Sequence, residues 1–317
     1  MHRSRRGFIG GALGCASYLA LAPTAALRTF AASPRGEIVA EELFARIERI
    51  GEGIWAVVST PLKDGGRHFT TTSNGGIVAG RDGVLVIEGY YTEEGGAWLA
   101  GQVRELTGRE ATHVVVTHFH ADHVRGLGGM RQGRPEGVPP LATFATETTR
   151  DLMVEHQEKD LPSRLVAEAH GITTIDLGGR SARLIPRRGH TPSDVTVEID
   201  DPDVIWCGDL VWNGMFPNYV DAVPSHLTRH CEAILGRKGT TYVPGHGDLD
   251  DAAGLDAYLG LVKDVEAAAR RALEAGRPAE AAAAEYRLPE SLAGWVLFSE
   301  DYFERAFLAW QRELVGS

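Results

Sequence analysis

The sequence predicts an α/β protein whose sheets stack on one another with helices outside them. Three observations carry that prediction. Apolar runs rich in Val, Ile and Thr alternate with stretches of helical period, a strand-and-helix order recurs in a second half, and 43% of the 317 residues are hydrophobic, enough for a large core. In the first half, residues 53–60, 75–79, 83–88 and 112–117 read as strands bounded by glycines and polar turns, with a helix over 93–106. The second half opens at a strand over 141–146 and a helix over 148–158. It continues through strands at 172–177, 182–186, 195–199 and 204–207, a helix at 225–235 and a strand at 240–243. From about residue 251 the chain reads as helical, because Leu255, Leu259, Leu261, Val262, Val265 and Ala268 recur at roughly the 3.6-residue period. A second helical stretch carries Trp295, Phe298, Tyr302, Phe303, Phe307 and Trp310. Without a long linker or a short repeat, residues 34–317 read as one domain with a helical C-terminal segment.

Residues 1–33 are different in kind. They hold Arg3, Arg5, Arg6 and Arg28 and no acid, and Phe8 to Leu27 is free of charge, the order of an export signal. The pair Arg5-Arg6 resembles the bacterial twin-arginine signal, which predicts a periplasmic or secreted protein cleaved between Ala26 and Ser33. Gly10, Gly11, Gly14 and Pro23 argue against a stable membrane anchor, and the residues before Cys15 fit a lipid-attachment site poorly. The formal net charge of -11 excludes a non-specific polyanion binder, so the expected partner is a small-molecule substrate and not nucleic acid. The 3 cysteines are too few and too scattered for a disulfide scaffold. Any metal chemistry rests on the histidines and carboxylates.

That chemistry collects where strands end. The strand at 112–117 runs into His118-Phe119-His120-Ala121-Asp122-His123, and each of these polar groups at the end of a buried strand needs a partner. Alternation puts His118 and His120 on one side, while the following turn lets Asp122 and His123 face a second point. Neutral imidazole and carboxylate are zinc ligands, and this spacing suits two adjacent metals. His113, an isolated histidine, is given no role.

The motif His118-x-His120-x-Asp122-His123 resembles the signature of the metallo-β-lactamase superfamily. Gly189-His190-Thr191-Pro192, Gly208-Asp209 and Pro244-Gly245-His246-Gly247 follow in the order that family requires, and the resemblance extends over roughly residues 50 to 250. It implies an αββα sandwich with the site at one edge of two mixed sheets. It implies that one Zn2+ takes His118, His120 and His190, a second takes Asp122, His123 and His246, and Asp209 bridges both. It also implies hydrolysis: water between two zinc ions deprotonates near neutral pH and attacks a polarised carbonyl, with Asp122 moving the proton to the leaving group. The ligand set looks like that of the glyoxalase II and lactonase branches, with a thioester, lactone, ester or amide as substrate. Iron remains an alternative, because persulfide dioxygenases of the superfamily hold one iron with a similar motif. Histidine at 120 disfavours the diiron flavoprotein branch, which carries glutamate there.

Other positions are read by comparison with cysteine-ligand β-lactamases. Asp209 stands where their cysteine falls, and Cys207, two residues earlier, reads as a small buried hydrophobe. Asn218 falls where they place an asparagine that holds the reacting carbonyl. Trp212 replaces their substrate-binding lysine, which puts β-lactam hydrolysis in doubt. Trp212, Phe216 and Tyr219, with Met215, either wall an apolar substrate pocket or belong to the core. Residues 62–72, with Lys63, Arg67, His68 and Phe69, form a flap or a plain hairpin, Glu88 is a candidate to orient a ligand imidazole, and His226 and His230 read as an exposed helix face.

Overall fold

Strand β5 (Val84–Ile87) shows how the layers arise, because alternate residues of a strand point to opposite faces. Val84 and Val86 join one apolar cluster while Leu85 and Ile87 join another, so a run without polar residues is what a strand covered on both faces requires. Strand β12 (Val204–Trp212) divides the same way, with Val204 and Trp206 facing inward and Ile205 and Cys207 outward. The computed structural model describes residues 34–61, 68–168, 171–235, 239–299 and 301–316. The export signal, the twin-arginine pair, Cys15, Lys63 and Arg67 lie outside the described residues.

Two mixed sheets result. The first holds β1 (Glu37–Glu41), β2 (Ala45–Gly51), β3 (Ile54–Ser59), β4 (Gly75–Ala79), β5, β6 (His113–Val115), β7 (Ala142–Thr146) and β8 (Arg164–Val166) in that order, antiparallel up to β5 and parallel beyond it. The second is ordered β13 (Thr241–His246), β12, β11 (Asp194–Ile199), β10 (Ser181–Arg187) and β9 (Thr173–Asp176), with only the β12–β13 pair parallel among its described pairs. Between the sheets lies the cluster that holds Ile54, Val78, Leu85, Val197, Trp206 and Val243. Trp206 Nε1 crosses it to donate to Gly75 O at 2.9 Å. Helices α1 (Glu93–Thr107), α2 (Ala121–Val124), α3 (Leu127–Arg131) and α4 (Glu147–Glu155) come from the chain that builds the first sheet. Leu99, Val103, Leu127, Met130 and Met153 from these helices pack on that sheet's outer face. Helices α5 (Pro224–Ile234), α6 (Ala252–Glu274), α7 (Ala279–Glu285) and α8 (Asp301–Val315) cover the second through the largest cluster. This is the expected αββα sandwich. No helix among the described residues is long and apolar enough to cross a membrane.

Several expectations are corrected. The second half does not begin at residue 141, because β7 and β8 extend the first sheet in parallel and leave the halves unequal. Strands β1, β2 and β8 were not expected. In β2 the inward polar residues are matched by ion pairs, Arg46 Nε lying 2.7 Å from Glu48 Oε1 and Arg46 also pairing with Asp248. Strand β8 is a three-residue edge. Trp295 and Phe298 precede the last helix. They flank Val296, which bridges to Met215 and exchanges backbone hydrogen bonds with Gly214 and Phe216.

One side chain ties the two sheets at the end where the histidines gather. Buried Asn74 accepts from Ser59 N at 2.8 Å and donates through Nδ2 to Pro244 O at 2.9 Å and Gly247 O at 2.7 Å. Its own N–H donates to Gly245 O at 2.8 Å. Removing the amide strands three buried partners, so Asn74→Ala is expected to cost about 2–4 kcal/mol in urea unfolding. A loss under about 0.5 kcal/mol would show that the turn carrying His246 is held by other contacts.

Candidate metal centre

The chain brings seven candidate ligand side chains to one end of the sandwich from four places. After β6, Val116 and Thr117 lead to His118, His120 caps the start of α2, and Asp122 and His123 lie within that helix. His190 follows β10, Asp209 lies within β12, and His246 ends β13. Strands β12 and β13 reach further than the sequence suggested, which places Asp209 and His246 on regular backbone. Two glycines permit the approach. A Cβ at Gly208, where φ is +52°, would meet Thr117 Oγ1 at 2.6 Å, and one at Gly245 would sit 1.9 Å from Asp209 Oδ1.

The side chains fall into two groups, His118, His120, His190 and Asp209 in one and Asp122, His123 and His246 in the other, with ligand atoms in each group within 4.8 Å of one another. Asp209 connects them. Its Oδ2 is 3.3 Å from His190 Nε2, 3.3 Å from His246 Nε2 and 3.9 Å from His118 Nε2, and its Oδ1 is 3.2 Å from His123 Nε2. Asp122 Oδ2 lies 3.4 Å from His246 Nε2 and 3.7 Å from His123 Nε2, and His190 Nε2 is 2.9 Å from His120 Nδ1. These separations scatter around about 3.3 Å, the edge of a tetrahedron with zinc–ligand bonds of about 2.0–2.1 Å.

The polar inventory shows that the groups fit a cation. His118 Nε2, His123 Nε2, His246 Nε2 and both carboxylate oxygens of Asp122 and Asp209 are buried without a hydrogen bond of adequate geometry among the described residues. Uncompensated buried polar atoms on this scale are costly unless metal coordination satisfies them. Burial holds His118 well below the ordinary imidazole pKa and takes His190 down to about 3, so both are neutral at physiological pH, the form that binds metal. Burial also works against charge on His123 and His246, but Glu88, Asp209 and Asp122 around the former and Asp209 and Asp122 around the latter outweigh it and raise both. Asp209 is held well below the carboxylate range against its burial by His246, His123 and His190.

Outer contacts orient the ligand rings. His118 Nδ1 lies 3.0 Å from Thr117 Oγ1, which donates to Glu88 Oε1 at 2.6 Å, and the same Glu88 oxygen is 3.1 Å from His123 Nδ1. Glu88 thus stands where an orienting carboxylate was expected, on backbone with φ of +75° that a non-glycine residue adopts at a cost. Asp221 was not anticipated. Its Oδ2 is 3.0 Å from His120 Nε2, which leaves Nδ1 to face His190. Nothing in the spacing marks Asp221, which lies 101 residues from His120 and meets it only because the 212–222 segment folds back across the site.

The remaining candidates lie deeper than expected. Trp212 is 1% exposed, pairs in register with His246 and packs its ring 4.3 Å from that imidazole, with Phe298 and Tyr302 beyond it. Phe216 and Tyr219 are fully enclosed, Phe216 meeting Phe303 edge-on, so the structure puts both in the core beneath the C-terminal segment. Asn218 is 1% exposed, and its Oδ1 accepts from Arg305 at 3.1 Å and from Val220 N at 3.2 Å. Its amide lies in a packed seam with α8. Cys207 and Cys231 are free, buried thiols of one apolar cluster. Phe69, in the described part of the 62–72 loop, packs against that cluster. His113 Nδ1 lies 2.7 Å from Thr112 Oγ1.

Residues 70–252 match the family profile described as Metallo-beta-lactamase superfamily. The chain belongs to the metallo-β-lactamase superfamily. It is 23% identical over 223 residues to a metallo-beta-lactamase type 2 of Bacillus cereus, covering 68% of this chain and 82% of the relative. A hydroxyacylglutathione hydrolase of Rhodopseudomonas palustris is 27% identical over 157 residues, 49% of this chain and 51% of the relative. Among solved structures, a metallo-β-lactamase from Erythrobacter litoralis superposes with a TM-score of 0.60 at 19% identity, covering 72% of this chain and all of the other. One from Pontibacter korlensis gives 0.56 at 24% identity, covering 69% of this chain and 99% of the other. These relatives are hydrolases of the superfamily, and the centre described above is this member's metal-binding candidate.

Deleting the outer carboxylate that orients a ligand histidine costs metal affinity more than stability. With zinc as the probe cation, Asp221→Ala is expected to weaken metal binding by about 10–100-fold in competition with a chromophoric chelator, with the far-ultraviolet circular dichroism unchanged. Unaltered affinity would mean that His120 is positioned without Asp221.

Proposed function

We propose that the protein is a dizinc hydrolase that cleaves a carbonyl bond of a small molecule: a thioester, lactone, ester or amide. The observation that carries this reading is Asp209, a carboxylate shared by two histidine groups, each complete enough to hold a cation. His118, His120 and His190 would hold one zinc, Asp122, His123 and His246 the other, and Asp209 would touch both. Bound zinc would supply Lewis acidity and lower the pKa of water towards about 7. Within the protein, Asp122 turns Oδ2 to the two imidazoles of its group, which leaves Oδ1 as the atom that accepts the reacting proton and returns it to the leaving group. Thr117, Glu88 and Asp221 keep the rings in their ligand tautomers. The enclosed indole of Trp212 presents no cation to an anionic substrate, which favours neutral esters, thioesters and lactones over β-lactams. We infer further that residues 1–33 direct export to the periplasm or beyond.

The experiment is a panel of thioesters, lactones, esters and β-lactams assayed with zinc on the wild type and Asp209→Ala. Turnover of a carbonyl substrate, lowered by about 10³-fold or more in the variant, a barrier increase of about 4 kcal/mol, supports the reading. Near-native activity in Asp209→Ala removes it. A single bound iron with oxygen uptake on a persulfide would replace hydrolysis by oxidation.

A further inference from the structure

The stretch of residues 187–194 that delivers His190 also forms one wall of a separate cleft of about 550 Å³. Arg187, at the end of β10, and Arg188 face it from this stretch, while His226, Arg229 and His230 face it from α5. The charge balance is unusual for this chain. The protein carries a formal -11, yet among the described residues the cleft lining gathers three arginines and two histidines against one carboxylate, Glu168, with Glu313 acting on His226 from outside the lining. That carboxylate is already engaged, accepting from Thr148 N at 2.8 Å, Thr148 Oγ1 at 3.1 Å and Ser193 Oγ at 3.4 Å. Arg187 is partly neutralised by Glu198 at 3.0 Å. Arg188 and Arg229 are exposed and have no ion-pair partner among the described residues.

The histidines add donors. Their rings lie 6.1 Å apart on successive turns of α5, and His230 Nδ1 is buried without a hydrogen-bond partner among the described residues. Burial, with Arg187 and the other cations, takes His230 down to about 4, and burial with Arg229 lowers His226. Both rings are therefore neutral at physiological pH, each with one N–H to give. Like charges held together in a partly enclosed space repel unless an anion joins them. Planar guanidinium groups pair with tetrahedral oxyanions through two parallel hydrogen bonds. The volume lies in the range of about 300–1,000 Å³ typical of small-molecule sites, which leaves room for an organic group beyond one anion.

We propose that this cleft, distinct from the metal centre, binds the dianionic phosphate of a small phosphomonoester. The residues that recognise the anion are Arg187, Arg188 and Arg229, with His226 and His230 as neutral donors. The occupant would brace the segment that carries His190. This proposal does not depend on the reaction catalysed.

The test is calorimetric titration of the full-length, zinc-loaded protein with glucose 6-phosphate, with glucose and citrate as controls. Phosphate also binds zinc, so the double variant Arg188→Ala/Arg229→Ala separates the two sites. The proposal expects a Kd below about 1 mM for glucose 6-phosphate, no detectable binding of glucose, and weaker binding of citrate. In the double variant it expects at least a 10-fold loss of glucose 6-phosphate affinity, with zinc content and hydrolytic turnover unchanged. In nuclear magnetic resonance of the wild type, the His226 and His230 imidazole signals should shift on titration. No binding, equal binding by the double variant, or citrate binding that is as tight as the phosphate ester's and falls as much in the double variant would overturn it.

Discussion

The molecule is organised around the burial of a carboxylate among imidazoles. Asp209 has no exposed side-chain surface and lies 3.2–3.9 Å from nitrogens of His118, His123, His190 and His246. Such a group is tolerable only where positive charge is supplied at close range, because an isolated buried carboxylate forfeits its hydration. Four separate segments must therefore arrive at one point with ångström accuracy. The sandwich provides this. Three apolar clusters, one between the sheets and one on each outer face, fix the strands whose ends carry the ligands. Trp206 and Asn74 then tie one sheet to the other across the gap.

The ring of contacts around the ligands shows how the fold and the chemistry constrain each other. Thr117 connects Glu88 to His118 and also, through its carbonyl, accepts from Val195 N of the second sheet. A strained Glu88 backbone is kept because its carboxylate serves two partners at once. Beyond residue 252, where the family match ends, the C-terminal helices add a layer that closes over Trp212 and Tyr219. Arg305 on α8 reaches the oxygen of Asn218, so the segment that follows Asp209 is shaped by residues outside the matched region.

Much of this was legible in the sequence, and the exceptions have physical causes. Clustered candidate ligands such as His118, His120, Asp122 and His123 declare themselves, because no structural role needs so many polar groups at the end of one buried strand. Strands β4 and β5 stood out because apolar runs between glycines admit few other readings. Strand β2 was missed because Arg46 and Glu48 look solvent-exposed until their ion pairs and Asp248 bury them. Asp221 was missed because its meaning lies in a contact 101 residues distant. The aromatic residues 212–219 were ambiguous between pocket and core. Composition cannot distinguish the two, and only the packing of the C-terminal segment settles their burial.

The central claim is that one carboxylate joins two cation sites. Anomalous diffraction at the zinc absorption edge, on crystals grown with zinc, tests it most directly. The account predicts two peaks, one among His118, His120 and His190 and one among Asp122, His123 and His246, each in contact with an oxygen of Asp209. A single peak, or two peaks of which either lies away from Asp209, would contradict it.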